Sequence, residues 1–183
     1  MYKKLPEPGP VALRAAQESL DNVGVTEVGK SNWGKWIKLY LAAVFIFSPA
    51  AWCLAFLVFR LKDAAKDLGV DIPKWVPSTG YTPSFASAAK KAGRFTSTAD
   101  AIVDPLGRIR RGDMVYFYMA KMGRIAHVGV VIQVHTWGVT TVEGNTSADG
   151  GGVQRDGGGV HRKSRRWAEL GDPEKSGFVR LDF

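Results

Sequence analysis

The sequence predicts an α+β fold, with N-terminal helices packed on a C-terminal antiparallel sheet. Two observations predict it. Apolar residues recur at helical spacing up to about residue 92, then alternate with a period of two from Met114 onward. The helical segments also precede the strand segments as a block instead of alternating with them, which argues against a parallel α/β sheet. A chain of 183 residues, 45% hydrophobic and 23% charged, is long and apolar enough for one domain with a real core. The whole of 1–183 is therefore expected to form a single domain.

The elements follow in order. Residues 11–22 read as an amphipathic helix with Leu13, Ala16, Leu20 and Val23 on one face. After the loop GVTEVGKSN, residues 33–47 read as a second helix. Residues 50–68 read as a third, with Ser48 as its cap, Pro49 at its first position and Gly69 as its stop. A Pro- and Gly-containing loop leads to a short helix over 84–92. The connector GRFTSTADAIVDPLGRIRRGD carries turn signals at Asp104-Pro105 and at Arg111-Gly112-Asp113; the latter triplet reads as a turn into a strand. Strands are expected at MVYFYMA, IAHVGVVIQV, VTTVEGN, GVHRKSRRW and GFVRLDF. The stretch SADGGGVQRDGGG has no Lys-Ser/Thr phosphate-binding pattern and reads as a loop.

Residues 39–59, LYLAAVFIFSPAAWCLAFLVF, form a charge-free run of the length a membrane span needs. Pro49 falls in its middle, and proline inside a helix removes a donor and clashes with the preceding turn. The run is expected to be two shorter core helices, with a membrane anchor or pore former as the competing reading. The first 20 residues lack the apolar stretch of a signal peptide, so the sequence predicts a protein made in the cytoplasm without one.

A net charge of +8 and a pI near 9.7 favour polyanionic partners. These include nucleic acid, anionic lipid and the anionic polymers of a bacterial envelope. No nucleic-acid-binding motif is present, and no nucleic acid partner is expected. The single cysteine, Cys53, excludes an internal disulfide and any multi-cysteine metal site. It is either an inert buried thiol or a nucleophile. The start of the third helix suits a nucleophile, because free backbone N–H groups and the positive helix end favour a thiolate and a developing oxyanion.

A thiol nucleophile needs an imidazole. Of His127, His135 and His161, the first stands inside a strand on the lighter face, with Gly129 leaving room beside it. A hairpin turning near residues 135–138 would pair residues whose numbers sum to about 272. That places Asn145 nearly opposite His127, with Glu143 on the same side. Either could orient the imidazole.

AWCLAF, RRGDMVYF, IAHVGVVIQV and VTTVEGNTS, in this order, resemble the successive signatures of CHAP domains, the cysteine, histidine-dependent amidohydrolase/peptidases of the NlpC-type papain-like superfamily. The resemblance spans about residues 11–165. It implies a papain-like fold and hydrolysis of an amide bond in peptidoglycan, as in a phage lysin or an injected antibacterial effector acting on the bacterial wall. By the same resemblance Cys53 matches the nucleophile, His127 the base, Glu143 the orienting residue and Asn145 a fourth polar member. It implies no cofactor and, because no Asp-x-Asp-x-Gly loop lies near Cys53, no metal. The segment AAVFIFSPAAWC departs from the glycine-containing turn expected there. Trp52 and Trp137, with Trp33, Trp36, Trp75 and Tyr81, are candidates for a groove holding glycan or stem peptide, with core packing as the alternative. HRKSRR is either a site for anionic envelope polymers or a solvated strand face. A monomer without stable membrane insertion is expected.

Overall fold

The computed structural model describes residues 6–29, 31–148 and 157–183. Most of the glycine-rich stretch expected to be a loop lies outside them. The described chain is α+β. Four helices, α1 (Pro10–Asp21), α2 (Lys35–Ala42), α3 (Cys53–Leu68) and α4 (Thr82–Lys91), precede most of a six-stranded antiparallel sheet. The strands are β1 (Phe95–Ser97), β2 (Met114–Met119), β3 (Arg124–His135), β4 (Gly138–Thr146), β5 (Gly159–Arg166) and β6 (Gly177–Val179), in spatial order β1-β6-β2-β3-β4-β5. The connector before β2 is more structured than its composition suggests. It holds β1 and two single-turn helices, α5 (Thr98–Ala101) and α6 (Pro105–Arg108), whose turns are capped by Ser97 and Asp104 side chains.

Three expectations at the helices need correction. In α1 the buried stripe is Val11, Ala12, Ala15, Ala16 and Ser19, while Leu13 and Val23 face solvent. Small side chains let α1 approach α3 closely, and the Ser19 hydroxyl is satisfied by the Ala15 carbonyl at 2.7 Å. The second helix stops at Ala42 rather than 47, because Phe45 takes a left-handed φ of 61° that a helix cannot continue through. The third helix starts at Cys53 rather than 50. Ser48 and Pro49 lie in the loop before it, and the residue that caps it is Trp52. Its other end is as expected, with Gly69 at φ 64° turning the chain out of the helix.

The apolar run 39–59 is thus two helices separated by an irregular segment. Among the described residues no helix is long and apolar enough to cross a membrane.

The sheet is covered on both faces. Leu54, Phe56, Leu57 and Leu61 of α3, with α1, α2 and α4, pack on Met114, Tyr116, Val128, Val130 and Val142. The opposite face carries Val115, Phe117, Val131, Val139 and Phe178, closed by Ala101, Ile109 and Leu170. Between the Arg111-Gly112-Asp113 turn and β6, Asp113 is buried against the Arg180 guanidinium, which also donates to the Pro6 and Arg108 carbonyls. This turn is therefore structural, and Gly112 takes φ 91° in it.

Candidate active site

Two irregularities in the sheet build the site. The β3–β4 ladder runs from His135↔Gly138 to Val130↔Val142, the last pair summing to the expected 272, and pairs no further. Where it ends, Gly144 lies under the first turn of α3. A Cβ there would sit 2.7 Å from the Trp52 ring and 3.0 Å from Phe56, so glycine is what lets the strand pass beneath the nucleophile's helix. The second irregularity is a bulge in β3: Phe117 pairs His127, but Tyr118 pairs Ile125. Bulges re-aim side chains, and this one sets the direction of His127.

His127 and Glu143 are both completely buried, and Nε2 of the ring lies 2.8 Å from Glu143 Oε2. Glu143 is held from three sides. Oε1 accepts from Thr141 Oγ1 at 2.7 Å and from Arg165 Nε at 2.8 Å, and Oε2 also accepts from Arg165 Nη2 at 2.6 Å. Glu143, and not Asn145, is therefore the residue bonded to the imidazole. The room beside Gly129 is taken by this carboxylate: a Cβ on Gly129 would come within 2.7 Å of Glu143 Cγ.

Burial opposes charge on both partners, yet their contacts win. Burial pushes the Glu143 carboxyl up, but hydrogen bonds from Arg165 and His127 outweigh it and bring its pKa to about 2. Burial pushes the His127 ring down, but interactions with Cys53 and Glu143 outweigh it and hold its pKa at about 9. Nδ1 completes no hydrogen bond of normal geometry. With Nε2 taken by Glu143, it is the nitrogen left for the Cys53 sulfur, whose interaction raises the pKa of the ring. These contacts bias the ring toward its protonated form, between the Cys53 sulfur and the Glu143 carboxylate.

Cys53 is the first residue of a 16-residue helix and is 3% exposed. Its own N–H and those just after it have no partners within the helix and point toward the thiol end. Among the described residues, Tyr116 Oη, His127 Nδ1, both amide atoms of Asn145 and Thr146 Oγ1 are buried without a hydrogen-bond partner, and Cys53 acts on the first two residues. Burial pushes the Tyr116 hydroxyl pKa well above its ordinary value, and the nearby Cys53 adds to the shift. Asn145 holds a left-handed φ of 57° at a break in the β4–β5 ladder, a conformation asparagine tolerates better than most residues. Buried polar atoms are ordinarily satisfied, so these stand out among the described residues.

The aromatic expectations fare differently. Trp52 is fully buried and donates its indole N–H to Glu27 at 2.7 Å, so it supports the helix start and offers no surface to a substrate. Trp137 is exposed and stacks on His135 at 4.5 Å, beside Arg166 and Glu169. It caps the far end of β3, roughly 25 Å of strand from His127 at about 3.3 Å per residue, and the structure does not bring it to Cys53. His135 bonds Thr140 at 3.0 Å and is likewise remote.

Two site residues escaped the sequence reading. Arg165 lies within the basic segment HRKSRR, where period two puts it with His161 and Lys163 on the less exposed face of β5. Tyr116 carries no sequence signal beyond its place in the strand MVYFYMA. Among the described residues no group of three or more His, Cys, Asp or Glu side chains could hold a metal ion. Comparison of the chain with protein-family models, with curated proteins and with solved structures finds no match in any of the three.

Proposed function

We propose that the chain is a thiol-dependent amide hydrolase of the CHAP type, with a papain-like arrangement of helix and sheet, acting on peptidoglycan as an amidase or endopeptidase. The observation that carries this reading is the series Cys53, His127, Glu143. A thiol at a helix N-terminus faces an imidazolium whose second nitrogen is bonded to a buried carboxylate. The order of the four CHAP-like segments supplies the substrate class.

In the proposed reaction the Cys53 proton rests on His127. The thiolate attacks the amide carbon, and the carbonyl electron pair moves onto oxygen, where the Cys53 N–H stabilises it. Among the described residues, Asn145 Nδ2, Tyr116 Oη and Thr146 Oγ1 are buried side-chain donors without a partner. As the intermediate collapses the C–N bond breaks, and His127 gives its proton to the leaving amine. Water, deprotonated by His127, then attacks the thioester, releasing a carboxylic acid and returning the thiol. Glu143 keeps the ring oriented and balances its charge throughout. The test is mass spectrometry of fragments released from purified peptidoglycan. New amine and carboxyl ends at one amide bond support the reading; intact material, or cleavage only between sugars, contradicts it.

Burial favours a second reading. His127, Glu143 and Asn145 are 0% exposed. On that reading the network is a structural polar cluster that substrate never enters. Alkylation separates the two: a catalytic Cys53 reacts with iodoacetamide in the folded protein, a structural one only after unfolding.

A further inference from the structure

The segment between α2 and α3 holds the least expected surface of the molecule. Val44 is buried and Ile46 half-buried, but Phe45 and Phe47 are 72% and 76% exposed. Phe45 is held at φ 61°, a left-handed backbone that a bulky side chain rarely adopts. The phenyl ring stays exposed while Val44 and Ile46 on either side anchor the loop. On the solvent side of α2, one turn apart, Trp36 and Leu39 are also exposed. Leu39 shares an open groove with Ala43, Phe59, Lys62 and Lys66, and the Lys62 ammonium lies 5.3 Å from the Phe45 ring centre. Trp36, Leu39, Phe45 and Phe47 are therefore apolar surface on one stretch of chain.

The surrounding charges are mostly positive. Lys35 and Lys38 flank Trp36 and Leu39, and Lys62 and Lys66 border the groove. Its one carboxylate, Asp63, is taken by Arg60 at 3.1 Å. A second copy docked on the same surface would set lysine against lysine, in a protein already at +8. An anionic bilayer answers both features: aromatic rings enter the headgroup boundary while lysines reach lipid phosphates.

We propose that this surface docks the protein peripherally on a bilayer containing anionic phospholipid, with Phe45 and Phe47 as the inserted residues. The proposal does not depend on the reaction assigned to Cys53.

The test is flotation of the full chain with phosphatidylglycerol/phosphatidylethanolamine vesicles and, separately, with phosphatidylcholine vesicles. Expected is binding to the anionic vesicles that weakens as salt rises, and little binding to the neutral ones. The double variant Phe45→Asn/Phe47→Ser should bind at least about tenfold more weakly, with its circular-dichroism melt unchanged; asparagine is chosen because it accepts the φ at 45. The charge variant Lys35→Glu/Lys66→Glu, confined to exposed side chains, should lose the preference for anionic vesicles and carries the test if the first variant misfolds. Failure of the wild-type chain to float, equal binding to both vesicles, or undiminished binding by the folded double variant would each overturn the proposal. So would self-association lost in the double variant without any vesicle binding.

Discussion

Arg165 grips Glu143 at two points inside the protein, Nε to Oε1 at 2.8 Å and Nη2 to Oε2 at 2.6 Å. The arginine is 2% exposed, and its guanidinium also lies over the Phe117 ring at 5.5 Å. The pair joins β5 to its neighbour β4 and keeps Glu143 ionised while that carboxylate holds His127. Arg165→Met removes the cation and leaves a buried carboxylate short of its main partner. Such a break costs about 3–5 kcal/mol, readable in urea unfolding at neutral pH. Arg165→Lys keeps a charge but not the fork, and should lose less. A loss under about 1 kcal/mol for Arg165→Met would show that the pair does not hold Glu143.

Glu143→Gln keeps the shape of the side chain and removes its charge. The imidazolium loses its counter-ion, so the His127 pKa should fall from about 9 toward its ordinary 6.5. If His127 protonates the leaving amine, the alkaline limb of the rate profile should move down with it. The maximal rate should drop roughly 10²–10⁴-fold, the usual worth of a well-set acid–base group. An unchanged alkaline limb would mean that Glu143 does not set the charge on the ring.

The same shifts dictate how stability depends on pH. The folded Glu143 pKa of about 2 lies below its ordinary 4.5, so its contribution is present above pH 4.5 and is lost as pH falls toward 2. The folded His127 pKa of about 9 lies above 6.5, so its contribution is complete below pH 6.5 and is lost as pH rises to 9. From this pair, thermal midpoints should be highest between pH 4.5 and 6.5 and decline on both sides. His127→Gln should flatten the alkaline decline.

Gly129→Ala places a methyl 2.7 Å from Glu143 Cγ. The carboxylate has no slack, being tied to Thr141, Arg165 and His127. Overpacking of this kind costs about 1–3 kcal/mol, and the larger effect should be on rate, since the displaced group orients the imidazole. Thermal melts with rates per folded molecule would separate the two effects.

The fold class and most strands were legible because β-branched and aromatic runs such as MVYFYMA and IAHVGVVIQV, bounded by turn signals, mark strands buried on both faces. The register near residue 272/2 followed from hairpin geometry, and Val130↔Val142 obeys it. The ends of α2 and α3 were not legible: a left-handed φ at Phe45 and a helix starting on Cys53 without a side-chain cap leave no compositional mark. Arg165 was hidden for a different reason. In HRKSRR both strand faces carry basic residues, and only the buried Glu143 on the neighbouring strand makes one of them special. The β3 alternation also breaks: after the shift between Val131 and Gln133, Val134 packs on the second face with Val131 instead of continuing the row of Val128 and Val130.

The most direct test compares wild type with Cys53→Ala on purified peptidoglycan, following released amine ends alongside the thermal melt. The account predicts cleavage by wild type and none above background by the variant, with the melting midpoint little changed, because one buried sulfur is removed at a helix start. Cleavage retained by a folded Cys53→Ala protein would contradict it.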